Sequence, residues 1–170
     1  MQTDYNAVVN GKAVCKHHGL DDSSVMLGCL PINHVNGVHF TLFATMMSGG
    51  HALLLESFER GIFLAAIHRH KPDFASVVPS ILEALSLNPP YEKLPPNFKY
   101  VVTAAAPLMK STCQSFIEKY GVRVIQGYGL SEATNFSLTL PINISSKEYQ
   151  RLMLDSERPS VGTELFANNV

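Results

Sequence analysis

From Val25 to Ala133 the chain repeats one kind of unit. A short apolar run ends in proline or glycine, and a segment with helical spacing follows it. The runs read "VMLGCLP", "HALLLE", "FASVVP", "YVVTAAAP" and "VRVIQGYG". Strands that are apolar throughout belong in a sheet covered on both faces. Strands that alternate with helices of about three turns build βαβ units. The pattern therefore predicts an α/β fold with a mainly parallel sheet, right-handed crossovers and helices on both faces.

The helices between the strands carry their own signals. One runs over Val38–Ser48 and ends at Gly49-Gly50, since glycine suits the left-handed position after a helix. A second spans Gly61–His70 and stops before Pro72. Ser80 with Glu83 three residues on reads as a capping box opening a third. Met109, Cys113, Phe116, Ile117 and Tyr120 fall on one face of a fourth. After Ala133 the pattern changes. "NFSLTLP" reads as extended, and Ser145 with Glu148 opens a short helix that turns Tyr149, Leu152 and Met153 inward. "RPSVGTELFANNV" reads as loop and strand, residues 1–24 as a helix and a loop, and "LNPPYEKLPPNF" as a surface loop.

With 170 residues, 46% of them hydrophobic, the chain can bury the core of one domain. A net charge of −1 gives no basic excess for nucleic acid or an anionic membrane surface. No uninterrupted apolar stretch is long enough to span a bilayer. Cys15, Cys29 and Cys113 are scattered and odd in number, which suits a reducing, cytoplasmic setting. Cys29 and Cys113 lie in apolar segments and read as small core residues.

The segment "IQGYGLSEAT" at Ile125–Thr134 asks most for a function. Gly127 and Gly129 would allow positive φ angles and close approach of a ligand to the backbone, or they simply make a tight turn. Gly129-Leu-Ser131-Glu-Ala133 approximates the nucleophile elbow of a serine hydrolase. That elbow must run into a helix, with its histidine later in the chain. The segment after Ser131 favours β structure, and all seven histidines precede Lys71, so a hydrolase at Ser131 is the weaker alternative. His17–His18 and His68–His70 lack the spacing of a helical zinc site and read as solvated. Neither GxxxxGK[ST] nor GxGxxG occurs. "CLPINHVNG" places His34 at a strand end, on the same sheet edge as Ser131 and Glu132, where it is either structural or functional. "TAAAPL" leaves the backbone bare at another strand end, as a flat ring packing on it would require. Read alone, it is more simply close helix–sheet packing.

"LPINHVNG", "TAAAPL" and "QGYGLSEAT", in this order and at this spacing, resemble the adenylate-forming enzymes, and "RPSVGTEL" resembles a later stretch of them loosely. That superfamily includes acyl-CoA synthetases, 4-coumarate–CoA ligases, luciferase and the adenylation domains of peptide synthetases. The resemblance covers nearly the whole chain and is most specific at "GYGLSEAT", where the family carries Tyr-Gly-x-Thr/Ser-Glu. It implies activation of a small carboxylic acid by Mg-ATP to an acyl-adenylate, then transfer to coenzyme A or another thiol. Tyr128 would stack on adenine, with Ala104, Ala105, Ala106 and Pro107 on its other side and along part of the acyl pocket. Gly127 and Gly129 would admit the nucleotide, Gly127 also leaving room for the acyl chain. Ser131 would contact phosphate and Glu132 would hold Mg²⁺. His34 would border the reacting carboxylate. The resemblance also implies that residues 1–170 are a partial adenylation domain. The phosphate-binding loop, the ribose-binding aspartate and the C-terminal lysine domain are not in this sequence, so the chain is expected to be inactive alone. A non-catalytic nucleotide- or acyl-binding module is the alternative.

Overall fold

The computed structural model describes residues 2–87 and 93–166. Helix α1 (Asp4–His18) precedes strand β1 (Val25–Gly28). A π-helix, Asn36–Phe43, continues into α2 (Ala44–Ser48). Then follow β2 (His51–Leu54), α3 (Arg60–His70), β3 (Phe74–Val77), α4 (Pro79–Ser86), β4 (Tyr100–Thr103), α5 (Lys110–Tyr120) and β5 (Arg123–Gly129). A short 3₁₀ turn, Ser131–Ala133, leads to β6 (Phe136–Thr139), α6 (Ser146–Tyr149), a π-turn Gln150–Leu154 and β7 (Thr163–Glu164).

The strands form one seven-stranded sheet in the order β2-β1-β3-β4-β5-β6-β7. Pairing is parallel from β2 through β5 and antiparallel from β5 to β7. The chain steps outward from β1 to β2, then returns past β1 to β3, β4 and β5. Right-handed crossovers in opposite directions put their helices on opposite faces, and ligands collect where the direction reverses. On one face, α1 packs on the π-helix and α2. Phe74 and Ser76 of β3 meet Phe40 and Asn36 of the π-helix, which fixes that face by strand alternation. The helix pair α4 and α5 lies elsewhere, joined by a hydrogen bond from Tyr120 Oη to the Leu85 carbonyl at 2.8 Å.

Several local expectations need correction. The segment expected to start a helix at Val38 begins at Asn36 and is π-helical over its first half. Helix α4 starts at Pro79, with Val78 in the capping place, so Ser80 is not its cap. Glu83 instead accepts a hydrogen bond from Thr112 Oγ1 at 3.1 Å. Proline fits the first helical position because its missing N–H would have had no partner there. Met109 is exposed, leaving Cys113, Phe116 and Tyr120 buried on α5 together with Thr112, and Ile117 packed partly buried against the same core. Strand β2 is apolar but largely exposed, because among the described residues it ends the sheet. Of the Ser145 box the capping half is seen, with Ser145 Oγ accepting from the Glu148 N–H at 3.2 Å. Of the proline-rich loop, residues 88–92 lie outside the described residues, as do residues 167–170 of the final segment.

His18 is not solvated. It is 3% exposed, stacked beside Phe74 and Tyr100, with Nδ1 3.1 Å from Tyr100 Oη. Burial, helped by repulsion from His17, lowers its pKa to about 3, so the ring is neutral. His17 is half-buried, and its Nε2 lies 3.2 Å from the Leu140 carbonyl. Cys29 and Cys113 are buried, and burial pushes their thiols up to about 12 and about 11, as inert core groups.

Candidate functional site

Two pockets open at the C-terminal ends of the parallel strands. The first, about 310 Å³, lies between the ends of β4 and β5. Ala105, Ala106 and Pro107 line it from β4, and Gln126, Gly127, Tyr128 and Gly129 from β5, with Val161 adding to the wall. The second, about 430 Å³, lies at the point where strand order reverses. His34 and Asn36 after β1, Val78 after β3 and Ala104–Ala105 after β4 contribute to it. Ala105 belongs to both pockets and has φ 71°, a conformation that alanine adopts at some cost. Ala105, Ala106 and Pro107 are exposed, so close helix–sheet packing does not account for them.

Tyr128 is 51% exposed, so its ring is not a core aromatic. Strand alternation places its side chain on the same face as Gln126. The pairing of β5 with β6 shifts register between Tyr128 and Gly129, and bulges of this kind re-aim side chains beside sites. The flanking glycines serve this pairing and do not have the positive φ expected of them. A Cβ on Gly129 would stand 1.9 Å from the Asn135 carbonyl oxygen, and one on Gly127 3.2 Å from the Phe136 ring. What closes on these glycines is the segment entering β6, which neither reading of them named.

Gln126 was not singled out from the sequence. It is 7% exposed, and its Oε1 is buried without a hydrogen-bond partner among the described residues. Thr103, its register partner on β4, is fully buried with an unpartnered Oγ1. Buried polar atoms are normally paired, so these two are exceptions, and of the two residues Gln126 lines the β4–β5 pocket. One signal was present: an amide directly after the apolar pair Val124-Ile125 of β5.

Ser131 and Glu132 are the first two residues of the 3₁₀ turn. Both are exposed, and neither lines the two pockets. No ion pair holds Glu132 among the described residues, and no group of three potential metal ligands exists there. Because β5 passes through this turn into β6 and not into a helix, the strand-to-helix elbow of a serine hydrolase is not formed.

His34 is exposed beside the second pocket. Its Nδ1 accepts a hydrogen bond from the Asn36 N–H at 3.2 Å. A backbone N–H can only donate, so in the neutral ring the proton sits on Nε2. Gly37 sets this loop tightly, since a Cβ there would lie 2.2 Å from the Pro31 carbonyl oxygen. The structure thus brings Ala105, Ala106, Pro107, Gly127, Tyr128 and Gly129 to one pocket and Ala104 and His34 to its neighbour. Ser131 and Glu132 stand apart on the same sheet edge.

A doubly wound sheet with adjoining pockets at its strand ends defines a small-molecule-binding α/β domain. The sequence pattern of the AMP-binding enzyme family matches residues 1–170, and the chain belongs to that family. It is 29% identical over 141 residues to a sulfoacetate–CoA ligase of Cupriavidus necator, covering 83% of this chain and 28% of that protein. It is 33% identical over 116 residues to 4-coumarate–CoA ligase 3 of Arabidopsis thaliana, covering 67% and 21%. O-succinylbenzoate coenzyme A synthetase of Bacillus subtilis, solved with AMP, superposes with a TM-score of 0.82 at 23% identity, over 98% of this chain and 32% of that one. The chain therefore spans less than a third of the length of these proteins. No helix among the described residues is long and apolar enough to cross a membrane.

Proposed function

We propose that this chain forms the nucleotide- and acyl-binding core of an acid–thiol ligase. The reaction joins a carboxylic acid to the adenylate of ATP, releases pyrophosphate, and passes the acyl group to coenzyme A or another thiol. The observation that carries this is the β4–β5 pocket, which opposes a half-exposed tyrosine to a bare Ala-Ala-Pro backbone. A flat heterocycle fits between two such walls, with Gln126 the amide among the lining residues. The CoA ligases among its relatives support a thiol acceptor.

Each residue has a separable task. Tyr128 and Ala105–Pro107 hold the base, and the Ser131 hydroxyl donates to a phosphate oxygen. His34 offers Nε2–H toward the acid's carboxylate, orienting the oxygen that attacks the α-phosphorus. The attacking group comes from the substrate, so Ser131 needs no activating base. The carboxylate of Glu132, exposed and unpaired among the described residues, fits Mg²⁺ only together with phosphate oxygens, since one carboxylate holds that ion weakly. Mg²⁺ bound there would neutralise charge on the phosphates.

Calorimetric titration of AMP and Mg-ATP into the chain tests the reading. Aromatic–base stacking is worth about 1–3 kcal/mol. Tyr128→Ala should weaken binding by at least about fivefold while circular dichroism shows an unchanged fold. Unchanged affinity in the folded variant would overturn the nucleotide pocket. The same titration with a panel of acids separates a ligase core from a module that binds nucleotide alone.

A further inference from the structure

The pocket beside His34 has a chemistry of its own. Leu30, Pro31, Val78 and Ala104 make its walls largely apolar, Asn33 is exposed like His34, and no Lys or Arg stands among the described residues that line it. A second negative charge on a bound acid would be left unpaired there, which is costly. At about 430 Å³ it lies at the small end for ligand pockets. His34 stands exposed at its mouth, whereas Asn36 is 5% exposed. The Asn36 Oδ1 accepts a hydrogen bond at 2.8 Å from Oγ of Ser76, itself fully buried on β3. With Oδ1 turned to Ser76, Nδ2 is the end of this amide left to face the pocket, a donor with no partner among the described residues.

We infer that this pocket selects a compact acid without a second charge, whose tail carries a hydrogen-bond acceptor read by Asn36 Nδ2. The inference rests on the acid-activating function proposed above. Asn36 then serves both ends of the acid. Its backbone N–H fixes the ring of His34 at the carboxylate, and its side chain meets the tail. Ser76 is a positioning residue that anchors the Asn36 amide through the bond from its hydroxyl to Oδ1.

Isosteric pairs of acids test this by ligand-observed NMR on the full chain with AMP present. 3-(4-Methoxyphenyl)propanoate is compared with 3-(4-ethylphenyl)propanoate, and 5-methoxypentanoate with heptanoate. In at least one pair the ether should bind about 3- to 10-fold more tightly, the range of one net hydrogen bond. Glutarate should bind more weakly than either member of that pair. Asn36→Leu should erase the preference and leave AMP affinity unchanged. Ser76→Ala should reduce it without removing the donor, which separates positioning from folding if the leucine variant is unstable. Equal affinities within both pairs would overturn the inference. So would a preference surviving both substitutions, tighter binding of glutarate, or no acid binding by a chain that binds AMP. Discrimination of the acids by a chain that fails to bind AMP would sustain the acyl pocket and overturn the nucleotide site instead.

Discussion

Single atoms decide much of this site. Gly129 has no spare space: an added Cβ would press on the Asn135 carbonyl, which belongs to the backbone and cannot swing away. Gly129→Ala should destabilise the fold by about 3 kcal/mol or more, the upper range of overpacking, read as a fall in the urea midpoint. Gly61 is the contrast. It lies in α3, where the nearest atom to an added Cβ is Glu59 Oε1 at 4.0 Å. Gly61→Ala should stabilise by about 0.5–1 kcal/mol, the usual helical difference between the two residues. If both changes are near neutral, the register of β5 on β6 is not held by Gly129. The sequence showed that glycines mattered around Tyr128. It did not show against what, because a glycine needed for φ and a glycine needed for space are written with the same letter.

Among the elements, α1 shows how a weak pattern can dock firmly. Its periodicity is slight, yet Ala13, Val14 and His18 are buried against the sheet and the π-helix. Asn10 adds a long-range bond, donating from Nδ2 to the Phe136 carbonyl at 3.1 Å. The neutral His18 makes this docking sensitive to acid. Unfolded, the ring takes up a proton below its ordinary value of 6.5; folded, it does so only near about 3. Between those values the unfolded state binds more protons, so stability is lost as pH falls, by up to about 1.4 kcal/mol per pH unit. His18→Gln keeps a hydrogen-bonding side chain beside Tyr100 and removes the titration. From pH 6 to pH 4 it should lose about 2 kcal/mol less stability than the unaltered protein in urea unfolding. Superimposable acid profiles would show that His18 does not set the acid limit. The sequence placed His18 next to His17 and suggested solvent for both. Its contacts with Phe40, Phe74 and Tyr100, all more than twenty residues away, bury it.

The whole molecule sets binding and turnover apart. The two pockets meet at Ala105 on one sheet edge, an arrangement that suits the proposed holding of base and acid side by side. Phosphate and metal are served less well: Ser131 and Glu132 are the proposed contacts, and no cluster of three metal-ligating residues exists among the described residues. Groups that act as a unit lose activity together when some are missing. The 170-residue chain should therefore bind AMP and yet fail to exchange labelled pyrophosphate into ATP, whatever acid is supplied. Acid-dependent exchange that disappears in Glu132→Ala would show that these residues suffice for adenylation.

The alternation of apolar runs with helical spacing determined the α/β class, the parallel core and the strand ends where pockets form. These follow from local periodicity and from the few ways a twisted sheet can be covered. Family membership was legible for a similar reason, since "GYGLSEAT" lies within a single turn of chain. What the tertiary structure alone decided is contact between distant segments. Asn36 meets Ser76 across forty residues, Gln126 and Thr103 lie in register with polar atoms unpaired, and Gly129 gives way to the backbone of β6. Spacing along a chain fixes which way a side chain turns. It does not fix what it meets, because the partner arrives through a crossover whose length and packing no short stretch of sequence records.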